Sequence, residues 1–72
     1  MSTRAEHVRW CKQRALEYID LGIPDKAMAS MVSDMGKHPD TVDAIREQLA
    51  SGVAAAKAGS AAVKRWIENF SE

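Results

Sequence analysis

The stretch RALEYIDLGIPDKAMASMVSDMGKHP, Arg14 to Pro39, reads as a helix, a tight turn and a second helix. Gly22 can take the left-handed conformation that ends a helix, and Pro24, with its fixed φ and missing amide donor, suits the first turn of the next. The spacing predicts that this second helix runs from Pro24 to Gly36 or Lys37, with Ala27, Met28, Met31, Val32 and Met35 on its apolar stripe and Asp25 near the positive end of its dipole. His38 precedes Pro39, and a residue before proline avoids helical geometry, so the helix must stop there. A helical hairpin follows.

Working upstream, Thr3 and Glu6 stand at the spacing of a capping box, so helix one opens at Ser2 or Thr3 and reaches Asp20 or Leu21. Steps of about 100° per residue place Val8, Cys11, Ala15, Tyr18 and Ile19 on one arc, with Leu16 at its edge. That arc is the core face. Trp10 and Leu21 project to the other side, among Arg14 and Glu17, where an amphipathic pattern does not require them.

Downstream, Asp40 or Thr41 can cap a third helix, Thr41 to about Ala58, with Val42, Ile45, Leu49, Val53 and Ala56 in a narrow arc. Gly52 falls on the same face. A glycine inside a helix costs about 1 kcal/mol against alanine, so its place on the stripe suggests a close approach by another helix. The tail from Val53 to Ala58 is nearly all alanine and buries little area. Gly59 then ends the helix, Ser60 caps the next, and a fourth helix from Ala61 to about Phe70 carries Val63, Trp66, Ile67 and Phe70. Trp66 and Phe70 are the expected core anchors. Apolar residues nowhere alternate as strands require. The expected fold is all-α: a small bundle of about four helices arranged as two helical hairpins, since neither hairpin buries its stripe alone.

The chain has 72 residues and reads as one domain, 1–72. A domain of this size buries only about 60% of the surface its unfolded chain exposes, so its stability is marginal. Cys11 is the only cysteine, which removes an internal disulfide as support and suits a reducing interior. Ten Lys plus Arg against ten Asp plus Glu give zero formal charge, which argues against nucleic acid held by bulk electrostatics. No apolar run has the length of a signal peptide or a membrane span, so no membrane association is expected. The cytoplasm is the expected address.

In the first hairpin, Ala15, Tyr18, Gly22, Ala27 and Pro39 stand where a tetratricopeptide unit expects a small residue, an aromatic, the turn glycine, a second small residue and the closing proline. The hairpin resembles such a unit. Cys11 stands in place of the usual aromatic and Arg14 in place of the usual leucine, and the second hairpin does not repeat the pattern at the step of about 34 residues. Across the whole chain, the segments HVRWCKQRALEYID, ASMVSDMGKHP and RWIENF occur in the same order as in a group of small uncharacterised proteins of tailed bacteriophages and prophages, which the chain resembles. The segment from Asp40 to Ala62 matches less well, being alanine-rich. The resemblance implies a phage setting, host cytoplasm included, and no activity.

Chemistry-bearing residues are sparse. His7 and Cys11 lie four apart on one helix face, the spacing of two metal ligands, but further ligands would have to come from His38 or a carboxylate across the bundle. No metal or other cofactor is expected. Cys11 with His7 as base is the nearest thing to a nucleophile pair, yet Cys11 sits on the core arc, where burial raises a thiol pKa and makes it inert. A chain this short cannot enclose an ordinary substrate pocket, about 300 Å³ or more, without hollowing its core. The expectation is a non-enzyme. Met28, Met31 and Met35 read as core fillers before they read as an adaptable binding stripe. Trp10 either covers the end of the bundle or, with Leu21 beside it, anchors an interface, the role in which tryptophan dominates.

The partner-binding residues are therefore expected to be Trp10, Leu21, Arg14 and Glu17, with Lys37 and His38 as secondary candidates in a basic turn that also suits a helix C-terminus. The expected function is a protein-protein interaction module acting on a host or phage protein, counter-defence being one version. Two alternatives stand beside it. One is a small nucleic-acid-binding regulator using an edge of Arg9, Lys12, Lys64 and Arg65. The other is a virion or assembly component working as a homo-oligomer, which would also offset the small core.

Overall fold

The computed structural model describes residues 3–71, so Ser2, the alternative start of helix one, lies outside the described residues. Among the described residues five helices follow one another: α1 Arg4–Asp20, α2 Pro24–Gly36, α3 Val42–Glu47, α4 Leu49–Ala58 and α5 Ser60–Glu68. The bundle is all-α. Its count is five rather than about four because the expected third helix is broken at Gln48.

Local chemistry explains the first hairpin. The Thr3 hydroxyl accepts the Glu6 amide at 3.1 Å, and Glu6 Oε1 accepts the Thr3 amide at 3.5 Å, completing the capping box. At the far end of α1, Gly22 adopts φ 76°, its amide donates to Ile19 O at 2.9 Å, and the Ile23 amide donates to Tyr18 O at 3.0 Å. These paired bonds satisfy carbonyls that the helix end leaves open, and only glycine takes that φ without strain. Pro24 then starts α2. The two helices pack along their length, α5 lies against both, and α4 pairs with α5 while α3 and α4 reach back to α2.

Two expected caps differ in detail. Thr41 is the N-cap residue of α3, as expected, but its side chain makes no bond to that helix: its buried hydroxyl donates to Met35 O at 2.6 Å, with His38 O at 3.4 Å. It closes the end of α2 instead, because a buried hydroxyl needs an acceptor and the last carbonyls of a helix are free. Ser60 lies inside α5, with Gly59 at the cap position and no side chain capping. The last helix also stops at Glu68, and Phe70 returns to the core from just beyond it.

The core joins Val8, Cys11 and Ala15 of α1, Ala27, Met31 and Met35 of α2, Ile45 of α3, and Val63, Trp66 and Ile67 of α5 with Phe70. Leu16, Tyr18, Ile19, Met28 and Val32 pack around it half-buried, so the methionines fill core space. Leu49 and Val53, expected on the stripe, are instead 42% exposed each. Past the break at Gln48, Gly52 is the buried residue of α4, with Ala55 and Ala56 half-buried beside it. Leu49 and Val53 fall about 60° and 100° around the helix from Gly52, on its outer flank.

What turns α4 is Trp66. Its indole N–H donates to Gln48 O and to Ser51 Oγ, both at 3.1 Å, and its ring lies directly under Gly52. A Cβ built on Gly52 would meet the ring at 2.6 to 3.0 Å. The close approach expected at this glycine is therefore present, made by an indole. Among the described residues no helix is long and apolar enough to cross a membrane.

Cys11 is fully buried. Burial, with the Asp34 carboxylate adding to it, pushes its thiol up from 9.0 to about 11. The unfolded chain releases this proton first, so the contribution to stability is complete below about pH 9 and is lost as pH rises toward 11. We predict that the urea midpoint falls between pH 9 and 11 and that Cys11→Ala flattens this part of the profile. An equal fall in the variant would assign it to other groups.

Candidate partner-binding face

Trp10, Arg14, Glu17 and Leu21 follow one another at i, i+4, i+7 and i+11, which places them on a single strip of α1. All four are exposed, Trp10 by 48% and Leu21 by 72%. Over its length of about 16 Å the strip has two distinct ends. Leu21 lies at the turn, near Ile23, which is also exposed. Trp10 lies toward the other end and is tied into a network across the α1–α2 seam.

That network has Arg14 at its centre. The guanidinium stands 4.8 Å from the centroid of the Trp10 ring, and its Nε donates to Asp34 Oδ2 at 2.8 Å. Asp34 is buried, 4% exposed, and also accepts the Ser30 hydroxyl at 3.4 Å. Lys37 approaches its other oxygen at 4.0 Å. The hydrogen bond and charge of Asp34 hold the Arg14 guanidinium pKa above its ordinary value. On the other side of Trp10, the His7 ring stacks at 6.2 Å and 21°, and His38 follows His7 at 4.7 Å. His38, Asp40 and Lys37 thus form the lip of the same surface, with the Asp40 amide donating to His38 Nδ1 at 3.2 Å.

The structure therefore brings Trp10, Arg14, Lys37 and His38 together and leaves Leu21 apart. Asp34 is the residue that the sequence reading passed over. It lies seven residues after Ala27 and three after Met31, on the buried stripe of α2. A carboxylate at such a position needs a cation, and Arg14 of α1 supplies it.

The remaining candidates are placed as follows. His7 Nε2 lies 3.7 Å from Cys11 Sγ. Among the described residues no group of three or more His, Cys, Asp or Glu could hold a metal ion. Of the basic edge, Lys12 donates to Glu68 O at 3.1 Å and to Phe70 O at 2.7 Å, so its ammonium closes the C-terminus of α5. Among the described residues, open recesses lie at the surface. One, of about 460 Å³, is lined by Arg4, Gln48, Ser51, Trp66 and Phe70. Arg4 there donates to Asp40 O and Ser71 O at 3.3 Å each. Another, of about 360 Å³, lies along the α1–α2 seam over Asp34.

No family model, curated protein or solved structure matches this chain. The reading of the face consequently rests on its own chemistry.

Proposed function

We propose that this chain is a non-enzymatic protein-interaction module, a small bacteriophage accessory protein that docks on a host or phage protein in the host cytoplasm through the Trp10 face of α1. One observation carries the reading. Trp10 is 48% exposed, and it is held there by ring and guanidinium neighbours. Burying a large apolar side chain contributes about 1.5–3 kcal/mol, so an exposed indole is a cost that a partner's contact offsets. Tryptophan and arginine side by side are the residue types that dominate interface energetics, and a side chain already fixed loses little entropy on docking.

The nucleic-acid alternative has less support, because Lys12 is engaged with α5 carbonyls and the chain carries no net charge. The test is pull-down from host extract with the wild type and with Trp10→Ala combined with Leu21→Ala. The double variant should keep its helical circular dichroism and recover at least tenfold less of the wild-type partner, since loss of a hot spot costs 2 kcal/mol or more. Equal recovery would move the binding face elsewhere.

A further inference from the structure

We propose that the seam recess beside Trp10 is an anion-binding site that takes the carboxylate side chains of an acidic segment on the partner protein. The proposal rests on α1 presenting the interaction face and names the chemistry of what docks there. The recess, about 360 Å³, is lined by Arg14, Tyr18, Lys26, Ser30, Asp34 and Lys37 among others. Three cations against one carboxylate leave a local surplus of two in a chain whose formal charge is zero. Glu17, on the same strip of α1, does not line it.

Arg14 is preset for this work. Asp34 takes only its Nε, and Trp10 lies against the guanidinium, so the plane is fixed from two directions. The two terminal nitrogens make no hydrogen bond among the described residues. They form the fork that a carboxylate engages bidentately, already oriented before any ligand arrives. Lys37, its side chain 74% exposed, is near enough to join from the rim.

The spacing of the cations selects a chain of anions over a single one. Lys26 of α2 and Lys37 at its C-cap are eleven residues apart, about 16 Å along the helix axis, with Arg14 reaching the seam between them. One phosphate cannot span that distance. An extended peptide covers it in about five residues at roughly 3.3 Å each, and its alternate side chains share one face, so every second acidic side chain can meet the next cation.

The test titrates ¹⁵N-labelled protein with a blocked hexaglutamate peptide, with hexaglutamine and inorganic phosphate in parallel, at low and at physiological salt. Hexaglutamate should shift the Trp10 indole, the Arg14 Nε–H and α2 amides from Lys26 to Lys37, with affinity falling as salt rises. Arg14→Gln would strand Asp34 in the interior, so charge is removed at the exposed Lys26 and Lys37 instead. Lys26→Gln with Lys37→Gln should keep the fold and weaken hexaglutamate at least fivefold. Equal shifts with hexaglutamine, binding of phosphate but not hexaglutamate, no binding at low salt, or an unchanged affinity in the double variant would each overturn the proposal. If the proposal fails while Trp10→Ala with Leu21→Ala still abolishes partner recovery, the interaction face stands and only its acidic ligand is wrong. If neither variant affects its assay, both fail.

Discussion

Trp66→Ala should lower stability by about 3–5 kcal/mol, the range for removing a large aromatic from a core. Trp66 is 8% exposed, meets Phe70 edge to face with centroids 5.1 Å apart, and fills the space under Gly52. Its loss leaves a cavity against the side of α4 that presents Gly52, Ala55 and Ala56, small residues that fill little of it. A chain of 72 residues has total stability of about 4–11 kcal/mol, so the variant should be partly unfolded at 37 °C. Urea unfolding followed by circular dichroism gives the value. A loss below about 1 kcal/mol would show that α4 repacks without the indole. Trp10→Ala serves as the contrast, since a half-exposed tryptophan outside the core should cost much less. The two tryptophans thus divide by role: one builds the fold, the other faces what binds it.

Gly52→Ala is the second large effect, and its sign is set by two opposed terms. Alanine gains about 1 kcal/mol of helix propensity over glycine. Against this, the new methyl would lie 2.6 Å from Cζ2 and 2.9 Å from Cε2 of Trp66, well inside van der Waals contact. The ring cannot swing clear without breaking its hydrogen bonds to Gln48 O and Ser51 Oγ. Overpacking of this kind costs about 1–3 kcal/mol and more where the neighbour is fixed, so a net loss of about 2 kcal/mol is expected. In a domain of this length that lowers Tm by about 10 °C. The double-mutant cycle makes the cause testable: with Trp66→Leu in place, Gly52→Ala should become neutral or stabilising, because propensity alone remains. The same penalty in both backgrounds would assign the cost to the backbone rather than to the indole.

Much of the scaffold was legible because its signals are local. The Thr3 box, Gly22, Pro24 and the break before Pro39 depend on residues within four positions of one another, and each sits where that chemistry places it. The α1 and α2 stripes were legible for the same reason, since an unbroken helix keeps a constant phase. The reading lost accuracy at Gln48, where a long-range donor, the Trp66 indole, takes hold of a backbone carbonyl and rotates the frame. From there Leu49 and Val53 leave the core. Ser60 lies one residue inside the helix it was expected to cap, and Thr41 holds its cap position while its hydroxyl turns back to α2, because a side-chain cap depends on which acceptor or donor lies nearest in space, not on residue type alone.

At the candidate face, the sequence marks Trp10 and Leu21 as off-pattern on the polar side of α1, among Arg14 and Glu17. The spacing of four between Trp10 and Arg14 shows that they are neighbours. It does not show that Arg14 is held by a carboxylate twenty residues later, or that His38 and Lys37 arrive on the same surface.

By itself, then, the sequence determined an all-helical chain, a first hairpin closed by Gly22 and Pro24, and an aromatic residue turned away from the core. These follow from periodicity and backbone restriction, which act within a few residues. Tertiary structure alone decided that helix three is two helices, that Gly52 is the seat of an indole, and that Asp34 fixes Arg14 in the α1–α2 seam with Lys37 beside it. Those outcomes depend on pairs far apart in the chain, whose energies exist only once the helices have packed.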